Sequence, residues 1–319
     1  MFHNTLRRDR LGRVRFTTHL GTGAAGYPGG QATAIRALAL RALAGTSGPG
    51  EREVLSGAVR WLLSRVRPDG RLPRAERVFP EREVAGIALG PDTRSDGGDA
   101  EAALALLLAA RGTGEAPWRD AGLSLLAKVE DAFSRRGHLR GYLRDAREDE
   151  PECASHVWAA LAHLEAAAAS ADGGHVRAAA RHGIRLASWI RPGPIPSLDT
   201  MPSSFGPRVA PCESLWAAGA LLDLERATGD AAFRRAADAC AGALRAEDGG
   251  VGYTEAVYLD AAGGLHPLEF ECAYTAEAVL AWARRLAPSF PEPTDVPPLW
   301  KEAPRTLGAS LLRRRWVPA

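Results

Sequence analysis

Residues 97–136 read GGDAEAALALLLAARGTGEAPWRDAGLSLLAKVEDAFSRR, and this stretch decides the fold. After Gly97, Gly98 and Asp99, residues 100–110 are Ala and Leu almost throughout, which suits helix propensity. A helix apolar nearly all round must be buried on most sides. Residues 112–116 then break the run, and apolar residues return at helical spacing over 117–135. A link this short makes the two helices antiparallel neighbours.

The same unit recurs along the chain. Helical periodicity marks ten segments: 31–45, 51–66, 99–111, 117–135, 153–170, 174–190, 212–227, 230–246, 271–286 and 303–314. Short links (45–50, 112–116, 171–173, 228–230) alternate with long ones (67–98, 136–152, 191–211, 247–270). All short links therefore belong on one end of the assembly and all long links on the other. The first helices also start alike. Gly29-Gly30-Gln31-Ala32 matches Gly97-Gly98-Asp99-Ala100, and Glu152-Cys153-Ala154 matches Glu271-Cys272-Ala273. Starts at Gln31, Asp99, Cys153, Cys212 and Cys272 lie 68, 54, 59 and 60 residues apart, the mark of a repeat. The second helices carry more charge, as in Phe233-Arg234-Arg235-Ala236-Ala237-Asp238. An inner and an outer ring follow. The expected fold is all-α, an α/α toroid of five to six helical hairpins, with an open solenoid as the alternative. One domain is expected over 1–319, with 1–28 an N-terminal arm or degenerate hairpin and 287–319 a closing segment. β-branched runs alternating with period two are nearly absent, so no sheet is expected.

Composition narrows the function. Hydrophobic residues are 46% and charged residues 24%, ordinary for a soluble domain. A net charge of +2 argues against nucleic acid, because the basic runs Arg7, Arg8, Arg10 and Arg313, Arg314, Arg315 are terminal tails. Behind the charged start there is no apolar stretch, so no secretory leader is expected. Apolar runs of about ten residues fall short of the ~20 a membrane span needs. Cys153, Cys212, Cys240 and Cys272 are no disulfide framework in a chain of 319 residues. A cytoplasmic, bacterial protein is expected, with its oligomeric state open.

A resemblance can now be named. Gly229-Asp230, Phe233, Ala236, Ala237 and the loop Asp248-Gly249-Gly250-Val251-Gly252-Tyr253 resemble the helix-pair signature of (α/α) toroid carbohydrate enzymes of the six-hairpin-glycosidase type. These include epimerases, uronyl hydrolases and polysaccharide lyases. Gly30-Gln31-Ala32 through Arg36 and Arg41 resembles the helical domain of glucuronyl C5-epimerases. Arg65-Val66-Arg67-Pro68-Asp69-Gly70-Arg71 is similar instead to the turns of squalene-cyclase and prenyltransferase toroids. The resemblance implies a fold and a shortlist of functions.

The long-loop face is where the inner helices begin, and helix N-termini favour anions. Four clusters sit there. Asp96 and Asp99 are candidate acids or bases beside Arg94, a candidate carboxylate clamp; N-capping is the competing reading. Glu152 stands near His156, suited to proton transfer, with Trp158 beyond. Arg208 and Glu213 come with Trp216. Glu271 and Tyr274 form a carboxylate–Tyr pair suited to proton abstraction beside a carboxylate. Gln31, at the first inner helix, is a further candidate contact. Catalytic roles thus fall to Asp96, Asp99, Glu213, Glu271, Tyr274 and His156. Substrate contacts fall to Arg94, Arg208, Trp158, Trp216, Glu152 and Gln31, the Trp rings being core packing in the competing reading.

Cys153, Cys212 and Cys272 repeat on three inner helices, but helix axes ~8–10 Å apart are too far for thiolates on one zinc. They are packing residues, and no metal or cofactor is expected. Phosphate-binding loops, dinucleotide fingerprints and the Gly-x-Ser-x-Gly elbow are missing. The expected function is carboxylate/Tyr acid–base chemistry on a sugar or uronate-containing glycan, of epimerase, lyase or glycosidase type. The alternatives are a terpenoid cyclase or prenyltransferase-like enzyme, which aromatics at 7% and the lack of an Asp-x-Asp-Asp motif disfavour, and a non-catalytic glycan-binding toroid.

Overall fold

The computed structural model describes residues 2–20, 23–26, 28–73, 76–77, 95–140, 153–170, 172–191, 197–203, 206–209, 211–241, 256–259 and 265–268. Among them lie α1 (Pro28–Leu43), α2 (Glu51–Leu63), α3 (Asp96–Thr113), α4 (Ala116–Arg136), α5 (Cys153–Ser170), α6 (Gly173–Ser188), α7 (Pro211–Thr228) and α8 (Ala231–Ala241). They match the first eight sequence segments to within a few residues. The segments 271–286 and 303–314 lie outside the described residues. The chain divides into two units, Met1–His182 and Gly183–Ala319.

In the first unit the helices that open each pair pack on one another, α1 on α3 and α3 on α5. The cause is the composition read above. Every α3 residue from Asp96 to Ala110 except Gly98 is buried, whereas α4 buries one stripe: Trp118, Gly122, Leu125, Leu126, Val129 and Ala132. Gly122 lets α4 approach α3, since a Cβ there would stand 3.0 Å from Leu107 Cγ and 3.2 Å from Ala103 O. The link between α3 and α4 turns at Gly114, left-handed at φ 81°, whose N–H closes on Ala110 O.

The expectation of no sheet does not hold. β1 (Phe2–Arg8), β2 (Val14–Leu20), β3 (Gly23–Gly26) and β4 (Glu76–Arg77) form an antiparallel sheet in that order. The β1–β2 hairpin runs from Phe2 opposite Leu20 to Arg8 opposite Val14. Asp9 Oδ1 accepts from the N–H of Leu11 and of Arg13, both at 2.9 Å, and Gly12 takes the left-handed position at φ 69°. In β2, Val14, Phe16, Thr18 and Leu20 alternate with Arg15, Thr17 and His19. That period of two was the overlooked signal.

In the second unit α7 packs on α8. β5 (Ile190–Arg191), β6 (Ser197–Ser203), β7 (Gly206–Val209), β8 (Ala256–Leu259) and β9 (Leu265–Leu268) form an antiparallel sheet, again in sequence order. Gly183 carries no Cβ because Leu224 and Phe233 fill that space. Both sheets are built from the arm and the long links, and the helix pairs are as expected.

Gly57 on α2 receives the N-terminal hairpin: a Cβ there would stand 2.5 Å from Val14 Cγ2 and 2.6 Å from Gly12 O. Gly57→Ala is therefore expected to destabilise the chain by about 1–3 kcal/mol in urea unfolding. An unchanged midpoint would show that the hairpin does not seat on α2.

Candidate functional site

In the first unit the residues after α2 and those at the end of α4 meet at the first turn of α3. Ser95, extended at φ −127°, caps this helix by accepting the Gly98 N–H at 3.0 Å. Capping thus falls to Ser95, which leaves Asp96 and Asp99 for other partners. Three residues apart, they share one face of the turn.

Asp96 has no exposed surface. It accepts from Arg71 Nη2 at 2.5 Å, from the Arg140 N–H at 2.7 Å and from Arg136 Nη2. Asp99, 1% exposed, accepts from Arg71 Nε at 2.6 Å and the Leu72 N–H at 3.0 Å. Burial works against the Asp96 charge, but the Arg140 N–H and the guanidiniums of Arg71 and Arg136 outweigh it, so its pKa lies below the ordinary value. Burial wins at Asp99, pushed up to about 6 against the pull of Arg71.

Arg136 and Arg140 bracket a short turn after α4. Gly137, at φ 72°, ends the helix and reverses the chain. The buried Leu139 gives its N–H to His156 Nε2 at 3.2 Å, and Ser155 Oγ donates to Arg140 O at 3.2 Å. His138 Nδ1 lies 3.1 Å from Arg136 O, so this nitrogen donates. In the neutral ring Nε2 is then the bare acceptor. Three buried polar atoms of this segment have no hydrogen-bond partner among the described residues: Arg136 Nε, Arg140 Nε and His138 Nε2. Orphans of this kind are rare in a folded protein. The junction thus combines two buried carboxylates, three arginines, one N–H donor without a partner at Arg136 Nε, a second at Arg140 Nε held only by a 3.6 Å ion pair to Asp96 Oδ2, and one unspent acceptor at His138 Nε2. Such a set fits a carboxylate with a hydroxyl or acidic C–H nearby.

The other expected site residues are dispersed. Gln31 is fully buried, and its Nε2 donates to Val14 O at 2.7 Å and Ala58 O at 3.0 Å, joining α1 to β2 and α2. His156 is fully buried, with Nδ1 2.9 Å from His182 Nδ1. Trp158, 6% exposed, carries the Arg36 guanidinium 4.4 Å above its ring. Arg36 in turn pairs with the buried Glu101 at 3.1 Å. In the second unit Arg208 lies on β7, Glu213 in the first turn of α7 and Trp216 half-buried on α7. Arg94, Glu152, Glu271 and Tyr274 lie outside the described residues. Cys153 and Cys240 are buried, and burial pushes the Cys240 thiol up to about 12. Sequence reading missed Arg71, Arg136, His138 and Arg140. The repeated start had marked only the inner helix, and the ends of the outer helices carry no motif of their own.

No protein-family model matches this sequence, and no curated protein matches it. Solved structures do. Cellobiose 2-epimerase from Spirochaeta thermophila aligns over 82% of this chain and 71% of its own at 17% identity, TM-score 0.61. A family 76 α-mannanase from Bacteroides thetaiotaomicron covers 88% and 75% at 13% identity, TM-score 0.58. A family 8 endo-β-1,4-glucanase from an Achatina fulica gut metagenomic library covers 84% and 84% at 15% identity, TM-score 0.55. The protein has the fold these share, the α/α toroid. Among the described residues no helix is long and apolar enough to cross a membrane.

Asp99 makes the junction pH-sensitive in a stated direction. Its folded pKa of about 6 lies above the ordinary 3.8, so the folded state holds its proton more tightly. Its contribution to stability is full below pH ~4 and is lost as pH rises through ~6, a difference on the order of 3 kcal/mol. Urea unfolding of wild type and Asp99→Asn between pH 4 and 7 is expected to show wild type gaining relative to the variant as pH falls. A difference independent of pH would contradict the assignment.

Proposed function

We propose that this chain is a carbohydrate-active enzyme acting on a sugar or uronate-containing glycan by acid–base chemistry. The observation that supports it most is the gathering of three guanidiniums round buried Asp96, with Arg136 Nε left without a hydrogen bond and Arg140 Nε only in a 3.6 Å ion pair with Asp96 Oδ2. Three arginines against two carboxylates leave a net positive charge, and the α3 N-terminus adds its partial positive charge. A substrate carboxylate meets both demands, and fork-shaped guanidiniums recognise it with direction. In this reading Asp96 and Asp99 are positioning residues that hold Arg71 and Arg136. His138 Nε2, a buried acceptor on the same segment without a hydrogen-bond partner, is the proposed base. Of the other sequence candidates, Gln31, His156 and Trp158 are taken up by contacts within the first unit and have no part in this reading; Arg94, Glu152, Arg208, Glu213, Trp216, Glu271 and Tyr274 stay proposed on their sequence positions alone. The structural neighbours named for a sugar epimerase, a mannanase and a glucanase support the carbohydrate class.

The test is a panel of uronate oligosaccharides and neutral β-glucan and mannan oligosaccharides. Three readouts cover the reaction types: solvent-deuterium incorporation for epimerisation, unsaturated-sugar absorbance for elimination, and new reducing ends for hydrolysis. Turnover of a uronate substrate is expected. Arg140→Ala should then raise KM about 10–100-fold for that substrate, the worth of one charge-assisted contact, and leave neutral sugars unaffected. Silence in all three readouts across the panel would overturn the enzyme reading.

A further inference from the structure

Away from the start of α3, a second cluster joins α4, α5 and α6. Glu130 Oε1 lies 3.0 Å from His163 Nε2 and 2.6 Å from His182 Nε2, while Arg181 Nη2 donates to Glu130 Oε2 at 2.5 Å. Each of these histidines is backed by another. His163 Nδ1 faces His175 Nδ1 at 3.0 Å, and His182 Nδ1 faces His156 Nδ1 at 2.9 Å. Half of the eight histidines in the chain are here. The spacing makes the cluster: His156 and His163 are seven apart on α5, His175 and His182 seven apart on α6, so antiparallel packing sets them in two facing pairs. Phe133 fixes the rings, with its centroid 4.5 Å from that of His182 and 5.3 Å from that of His156.

One assignment of protons satisfies all these contacts. Leu139 N–H donates to His156 Nε2, so His156 carries its proton on Nδ1 and donates to His182 Nδ1. His182 Nε2–H then donates to Glu130 Oε1. On the other side His175 Nδ1–H donates to His163 Nδ1, and His163 Nε2–H donates to the same oxygen. Two imidazole protons are thus aimed at one carboxylate oxygen, in the place a cation would take.

We propose that Glu130, His163 and His182 form a divalent transition-metal site of the zinc type. Their three ligand atoms lie within 4.8 Å of one another and come from three helices. Tetrahedral zinc with bonds of about 2.0–2.1 Å needs ligand atoms about 3.3 Å apart: the two hydrogen-bonded distances to Glu130 Oε1 open by less than ~1 Å, and the separation between the two histidine nitrogens, at most 4.8 Å, closes by at most ~1.5 Å. His182 has no exposed side-chain surface and His163 3%, while Glu130 keeps 19%, so solvent can supply the fourth ligand beside the carboxylate. On binding, His163 and His182 each exchange the Nε2 proton for one on Nδ1 through solvent, so the rings stay neutral and no net proton is released. They then donate from Nδ1 to His175 and His156, the outer-shell arrangement that orients a ligating imidazole. His175 and His156 must likewise shift their own protons from Nδ1 to Nε2, so Leu139 N–H gives up its acceptor. The metal would tie α4, α5 and α6 together. Nothing in this inference depends on the sugar chemistry proposed above.

The test uses the untagged full chain, stripped with EDTA and dialysed against Zn²⁺ or Co²⁺ alone. One ion per chain is expected, with the visible spectrum of four-coordinate Co²⁺, a raised Tm and faster hydrogen exchange at the Leu139 amide. Glu130→Gln should abolish the spectrum, and His175→Ala should weaken binding about 10–100-fold. Asp131→Asn, an exposed carboxylate on the same helix, should bind as wild type. Failure of the wild-type chain to take up an ion stoichiometrically would overturn the proposal even if the variants do not fold. So would uptake that survives Glu130→Gln.

Discussion

A carboxylate with no exposed surface organises the first unit. Asp96 is held by Arg71, which follows α2, and by Arg136 and the Arg140 N–H, which end α4 and lead towards α5. One side chain in the first turn of α3 therefore fixes two long links. Removing one partner of a buried ion pair costs about 3–5 kcal/mol, because it leaves a charge buried and unpaired. Asp99 repeats the device by holding Arg71 Nε and the Leu72 N–H. Gln31 does the same at α1 without charge, bonding Val14 O and Ala58 O.

The polar residues at the starts of α1 and α3 are thus fasteners between a helix and the chain segments beside it. This explains why the start recurs while the links differ. The inner helices are apolar over most of their length, so the polar residues at their starts meet whatever link is adjacent, while those further along, such as Glu101 and His163, pair with other helices. In the same logic the donor left over at Arg136 is unusual: the hydrogen bonds that fasten Asp96 use Arg136 Nη2 and the Arg140 backbone, with Arg140 Nε in a longer ion pair at 3.6 Å and Arg136 Nε without a hydrogen bond.

The helix pairs were legible because burial asymmetry is written in composition: residues 100–110 against the charged residues of α4 and α8. The sheets were not. Their strands are two to seven residues long, and several lie in links rich in Gly and Pro, where a period of two has little room to appear. For the site, Asp96 and Asp99 were found by position, yet their arginine partners sit 25 to 44 residues away in sequence and bear no common motif. His156 was also singled out, but its role depends on His182, 26 residues on, which only antiparallel packing reveals. Spacings of seven on two joined helices carried that information and went unread.

Central to the account is the claim that the arginines at the start of α3 face an anionic sugar. Side-chain NMR of the arginine Nε–H groups during titration with a glucuronate oligosaccharide tests it most directly. The account expects saturable shifts at Arg136 and Arg140, smaller ones at Arg71, and none with the neutral oligosaccharide of equal length. Shifts absent from all three arginines, or equal for the neutral sugar, would contradict it.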